Sequence, residues 1–239
     1  MTFEVATPQP LRRADQAFGR LAPALDWLAT VQGSWPPRMP SAVVRAVVDA
    51  GSTGELADGV RRADELADGG CDLLVTGADL EPVPGLVALA ALLRLEPVTA
   101  VGTAAGPDWA ALTTGVRDGL RTAGRRAGDP ASLLAAIDCA PLTVLTGLLA
   151  QSAVRRTPVL LDGSPITVAA AVLAGRLAPG APAWFLPGQV PPAPAARQGL
   201  SELGRPGLLD LGLALPYGAD LARAVLESAV GQVADPDGG

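Results

Sequence analysis

The sequence predicts a three-layer α/β fold: a mostly parallel sheet with helices on both faces. Three observations carry this. Short apolar runs at 73–75 and 159–161 are each cut off by turn residues, as strands buried on both faces are. Longer segments between them repeat apolar residues at threes and fours, as helices do. The two kinds of segment alternate at the spacing of βαβ units, which makes the strands parallel and lays the connecting helices over the sheet.

The elements follow in order. Residues 1–10 read as a loose arm. Over 11–31, Leu11, Phe18, Leu21, Leu25 and Leu28 share a helical face, and Gly33 with Pro36-Pro37 stops it. Trp27 and Trp35 flank its end and read as packing under a loop. Val43, Val44, Val47 and Val48 fit a strand or a short helix over 41–50, and 51–54 break it. A charged helix spans 55–69, with Leu56, Val60, Ala63, Leu66 and Ala67 on one face. The strand at 73–75 is closed by Thr76-Gly77. An apolar helix at 86–95 leads to a strand at 98–101 and a small-residue loop at 102–106. A helix at 110–123 and a polar loop at 125–129 precede a largely helical 133–154, interrupted at Pro141. A strand at 183–186 ends at Pro187-Gly188. Residues 190–195 are too rich in Pro for a helix or a central strand. A short helix at 198–203, a strand or turn at 208–213, a closing helix at 220–233 and a tail complete the chain. The arrangement is Rossmann-like. Residues 1–40 are expected to form the arm and its helix, 41–213 the α/β domain, and 214–239 a closing helical segment.

The stretch 155–173, RRTPVLLDGSPITVAAAVL, organises the rest. A buried strand is cut off by Asp162-Gly163, Ser164 caps a helix, and Pro165 sits in its first turn. That corner gathers backbone N–H donors and the positive end of a helix dipole, so it can hold an anion. The same geometry also serves as a plain βα corner. In parallel sheets ligands bind beyond the carboxyl ends of the strands. Thr76-Gly77, residues 102–106, Asp162 to Ser164 and Gly188 are therefore expected to share one edge.

Composition excludes several chemistries. Lys, His and Asn are absent, and every basic residue is Arg. No Ser-His-Asp triad, His metal ligand, Lys Schiff base or P-loop lysine is available. The net charge of −6 comes from mixed acids and arginines with no basic stripe, which argues against nucleic acid as a partner. Cys71 and Cys139 read as buried free thiols. The start, MTFEVATPQPLRR, lacks an apolar h-region and no long uncharged apolar span follows, so a soluble cytoplasmic protein without a membrane partner is expected.

Four segments then carry a resemblance. Residues 25–38, LDWLATVQGSWPPR, 63–77, ADELADGGCDLLVTG, 155–177, RRTPVLLDGSPITVAAAVLAGRL, and 204–213, GRPGLLDLGL, resemble in order the nicotinate-nucleotide:dimethylbenzimidazole phosphoribosyltransferases of cobalamin (vitamin B12) nucleotide-loop assembly. The resemblance spans most of the chain beyond residue 10, with a large gap near 49–54, because family members are longer. It implies a small helical lobe built from the two termini beside the α/β domain, a homodimer, no cofactor and no metal. It also implies a reaction in which a nitrogen of an aromatic base, such as dimethylbenzimidazole, displaces nicotinate from nicotinate mononucleotide. Such chemistry needs a carboxylate to take the base's proton, backbone donors for the phosphate and an apolar slot for the base. Thr76, Gly77, Asp162, Gly163, Ser164 and Gly188 are the expected substrate-binding residues.

The departures from the family pattern are severe. The family's Gly-rich run after Thr76-Gly77 is replaced by Ala78, Asp79, Leu80, Glu81, Pro82, Val83, Pro84 and Gly85. Its Gly-Gly-x-Glu carboxylate falls on Pro141. Its Gly-His-Arg-Ser falls on Gly188, Gln189, Val190 and Pro191. Its general base falls on Tyr217, a poor base with an ordinary pKa of about 10. Asp220 and Glu81 are nearby acids with no motif of their own. Losing a general base costs about 10² to 10⁴ in rate. Two readings therefore stand: a divergent phosphoribosyltransferase, or a catalytically inactive relative that binds a ligand or a partner chain.

Overall fold

The structure, a computed structural model, describes residues 2–211 and 218–234. Four parallel strands form one sheet in the order β1 (Val43–Asp49), β2 (Leu73–Asp79), β3 (Val159–Leu161), β4 (Phe185–Pro187). Strand order equals chain order, so each right-handed crossover steps the same way and the connecting helices fall on one face.

Side-chain alternation divides the sheet between two cores. Leu74, Val159, Leu161 and Phe185 point to the crossover side, where α2 (Leu56–Asp68), α3 (Val83–Leu93), α7 (Ala140–Val154) and α8 (Pro165–Leu177) pack. Around them lie α4 (Pro97–Val101), α5 (Trp109–Ala123), α6 (Pro130–Ile137) and α9 (Pro194–Glu202). Leu73, Val75, Leu160 and Leu186 point the other way, onto α1 (Ala22–Gln32) and α10 (Gly218–Ala234). The helices near the two ends of the chain thus meet, and together they supply the third layer.

Local chemistry explains the boundaries. Glu55 and Asp58 close a capping box at the start of α2. The Ser164 hydroxyl caps α8 by accepting from Thr167 N, and Pro165 follows it. α2 and α7 cross at Gly59 and Gly147; a Cβ on Gly59 would lie 1.9 Å from the Val144 carbonyl oxygen, so only glycine permits the approach.

Several expectations are corrected. Residues 98–101 are not a strand but belong to α4, where Pro97 sets the first helical φ. Five residues are too few for a helical period to show, and the valines mimic a strand. Residues 102–106 are not a loop after a strand: a 3-10 helix, Thr103–Asp108, kinked at Gly106, follows α4 there, so they contribute no strand end. The helix expected from residue 11 starts with a 3-10 turn, Gln16–Leu21, which is kinked at Gly19. Thr76 and Gly77 do not close β2 but lie inside it. Pro141 does not interrupt a helix: Asp138, in the left-handed region, ends α6, and Pro141 opens α7. Pro194 and Ala195 open α9, where a proline at the first turn is tolerated. Residues 41–50 resolve as a strand. Leu209 makes an isolated parallel bridge to Gln189 beside β4.

Candidate functional site

The carboxyl ends of β2, β3 and β4 bring Thr76, Gly77, Asp162, Gly163, Ser164 and Gly188 together. The ladder does this directly: Asp162 N donates to Thr76 O at 3.0 Å, and Gly188 N donates to Leu161 O at 2.7 Å. Thr76 is buried, and its hydroxyl donates to Ala46 O, so its side chain is spent inside the sheet.

Asp162 is the centre of this edge. It is 2 % exposed. One carboxylate oxygen accepts from Ala78 N at 2.9 Å and the other from Ser164 N at 2.9 Å. It therefore pins the end of β2 to the turn that starts α8. Burial pushes its pKa up to about 6, against the Ser164 and Ala78 N–H groups, which pull it down. Gly77 is glycine because of this carboxylate: an added Cβ would lie 2.3 Å from Asp162 Oδ2. Gly163 has φ +81°, and its missing Cβ leaves room for the Gln189 carbonyl.

The anion capacity of this corner is largely engaged within the protein. Ser164 N is held by Asp162, Pro165 has no N–H, and Thr167 N donates to Ser164 Oγ at 3.3 Å. Against Ile166 N sits the first turn of α3, where a Cβ on Gly85 would come within 2.5 Å. Pro82 and Pro84 of the replaced Gly-rich run lie at the start of that same helix, where a missing N–H removes nothing. The residues that depart most from the family pattern thus seat a helix against the corner.

One residue at this edge has unspent capacity. Gln189, just past β4, is 1 % exposed, and its side-chain carbonyl Oε1 accepts no hydrogen bond among the described residues. Three glycines make room for it: Cβ atoms on Gly163, Gly207 and Gly218 would each come within 2.7 Å of its atoms. In the sequence, Gln189 is visible only as a departure from a His. A Gln at a strand end ringed by distant glycines leaves no local pattern to read.

The remaining candidates do not converge on a base. Asp220, on the first turn of α10, accepts from Arg45 Nε at 2.9 Å. Glu81 is exposed between β2 and α3, and Pro141 is buried in the first turn of α7. Tyr217 lies outside the described residues. The strand ends also set Asp49 and Asp79 in register, both exposed, which the sequence did not suggest.

Comparison with known proteins bears on this edge. A family model described as a phosphoribosyltransferase matches residues 53–235. The chain is 37 % identical over 227 residues to the nicotinate-nucleotide–dimethylbenzimidazole phosphoribosyltransferase of Corynebacterium efficiens, covering 90 % of this chain and 60 % of that protein. It is 40 % identical over 193 residues to the Mycobacterium ulcerans protein of the same name, covering 77 % and 53 %. It thus spans about half to three-fifths of the length of these relatives. In the crystal structure of CobT from Thermus thermophilus the same fold recurs, with a TM-score of 0.75 at 22 % identity over 94 % of this chain and 92 % of that one.

Proposed function

The chain belongs to the nicotinate-nucleotide–dimethylbenzimidazole phosphoribosyltransferase family, and from that premise we propose that it is a phosphoribosyltransferase-like protein of cobalamin nucleotide-loop assembly with a rebuilt site. Its ligand is a nicotinate mononucleotide-type nucleotide, held beyond the carboxyl ends of β2 to β4. In the reaction, a ring nitrogen of an aromatic base bonds to the ribose C1′, the bond from C1′ to the nicotinate nitrogen breaks, and the base's N–H proton is released.

The observation that carries this reading is the orphaned Gln189 carbonyl beside the Asp162 staple. An unpaired buried acceptor costs about 1–3 kcal/mol. A ligand hydroxyl or N–H donor would remove that cost, so the edge is prepared for a ligand that donates. Asp162 acts as a positioning residue: it fixes Ala78 and Ser164, and both its oxygens are occupied. The protein is expected in the cytoplasm, with a small molecule rather than nucleic acid as its partner.

A second reading, a silent relative that binds but does not turn over, is favoured by a separate observation. Two donors of the α8 N-terminus, Ser164 N and Thr167 N, are spent internally, and the acids nearest the replaced motifs are either paired (Asp220) or exposed (Glu81). Both readings keep the ligand. The test is calorimetry with nicotinate mononucleotide, followed by nicotinate release with a panel of benzimidazoles and purines. Binding with release supports the first reading, and binding without release supports the second. No binding overturns both.

A further inference from the structure

The amino end of the sheet carries a cation that the phosphoribosyltransferase reading does not use. A cavity of about 600 Å³ opens beside the start of β4, between the N-terminal arm, α1 and the segment after α9. That volume lies within the range of small-molecule sites. Arg205 lines it and is half-buried, and burial draws its guanidinium below its ordinary pKa. Yet Arg205 makes no ion pair among the described residues; its one side-chain hydrogen bond there runs from Nη2 to Ala183 O, at 3.4 Å. Arg12, on the arm, lines the same cavity and is exposed, also without an ion pair among the described residues.

In a chain of net charge −6, acids are plentiful. A guanidinium that loses hydration without gaining a carboxylate is costly. The one acid in the cavity wall, Asp26, is engaged elsewhere through one of its oxygens and makes no ion pair with either arginine among the described residues. Its Oδ1 accepts from Arg13 N at 2.8 Å and Ala14 N at 2.9 Å, which folds the arm over the opening. The rest of the wall mixes Thr7 and Thr30 with Leu11, Leu203 and several prolines, and Trp27 Nε1 shares the Ala183 carbonyl with Arg205.

We propose that this cavity is a second binding site, at the opposite end of β4 from Gly188, for a small organic anion. Its carboxylate or phosphate pairs with Arg205 and Arg12, and its apolar body lies against the prolines of the wall, Pro8, Pro10 and Pro182. A planar, five-donor guanidinium suits both anions, because each can accept two parallel hydrogen bonds. The site is separate from the nucleotide edge and stands whether or not that reading holds.

The test is calorimetry on the full chain with three probes: phenyl phosphate, benzoate and inorganic phosphate. Phenyl phosphate or benzoate is expected to bind at one site, several-fold more tightly than inorganic phosphate, and whichever binds better identifies the headgroup. Arg205→Gln is expected to weaken that binding tenfold or more. Arg12→Gln, on an exposed arm where folding is not at stake, is expected to weaken it several-fold. Ser164→Ala, at the other edge, is expected to leave it unchanged. The proposal is overturned if no probe saturates in the millimolar range, if both arginine variants bind like the parent, or if Ser164→Ala abolishes binding.

Discussion

Replacing Asp162 by Asn isolates the energetics of the carboxyl edge. The buried carboxyl titrates at about 6, whereas in the unfolded chain it titrates at about 3.9. A folded-state pKa raised above the unfolded one means that the native protein holds more protons between the two values. Its stabilising contribution is therefore complete below pH 4 and lost as pH rises through 6. The gap of about two pH units corresponds to about 3 kcal/mol, because each unit is 1.36 kcal/mol. Asn has the same shape and no charge, so it escapes this loss. It must, however, turn its NH₂ toward either Ala78 N–H or Ser164 N–H, at a cost of about 1–3 kcal/mol. Near pH 7 the two effects nearly cancel, while at pH 4 the variant is the less stable protein. Urea unfolding of both proteins at pH 4, 5, 6 and 7 checks this. The stability advantage of the parent over Asp162→Asn should shrink by about 2 kcal/mol across that range, because the unfolded carboxyl is already about half ionised at pH 4. Acids that the fold draws downward, such as Asp64 held by Gln151 and Arg155, impose the opposite slope, but on both proteins alike. A difference that stays constant with pH would refute the claim that Asp162 ionises inside the protein at a burial cost.

Two further outcomes follow from positions already described. Gly59→Ala should separate α2 from α7, because its Cβ meets the Val144 carbonyl at 1.9 Å; a loss of about 3 kcal/mol would lower Tm by about 6–12 °C in thermal unfolding. Gln189→Met keeps the volume and removes the orphaned acceptor, so it should raise the stability of the free protein by about 1 kcal/mol. By calorimetry it should weaken nicotinate mononucleotide binding about tenfold, whereas stability and affinity that fall together would mark Gln189 as a packing residue only.

The scaffold was more legible in the sequence than the site. β3, the Ser164 cap and the Gly33 stop could be read because each rests on local chemistry: an apolar triplet between turn residues, a hydroxyl before a proline, a glycine in the left-handed region. α4 could not, because five residues hold no period. The expected strand end at Thr76-Gly77 erred for an instructive reason. A glycine reads as a breaker, but Gly77 is kept in mid-strand by Asp162, far along the chain, whose carboxylate fills the space a Cβ would take. Thr76, Gly77, Asp162, Gly163, Ser164 and Gly188 do come together, the first two from within β2 and the others from just past β3 and β4, while residues 102–106 contribute no strand end. What could not be read was their state: that both Asp162 oxygens are occupied, that Gly85 rests on the α8 N-terminus, and that the Gln189 carbonyl is left wanting. Those are facts of three-dimensional neighbourhood, and no spacing in the chain encodes them.

The order β1-β2-β3-β4 also sets a timetable for the ribosome. The crossover layer can assemble as it emerges, because each strand finds its predecessor already made. The opposite layer cannot. α1 is synthesised before any strand, yet its partners are β2, β3 and β4 residues and α10 at the far end of the described chain. Leu25, Trp27 and Leu28 must therefore wait, exposed, through most of synthesis, and contacts this distant in sequence form slowly. The same wait applies to the sheet face that bears Leu73, Val75 and Leu160. This half of the core is where a chaperone would find a nascent chain to hold, and the arrival of α10 is the event that ends its exposure.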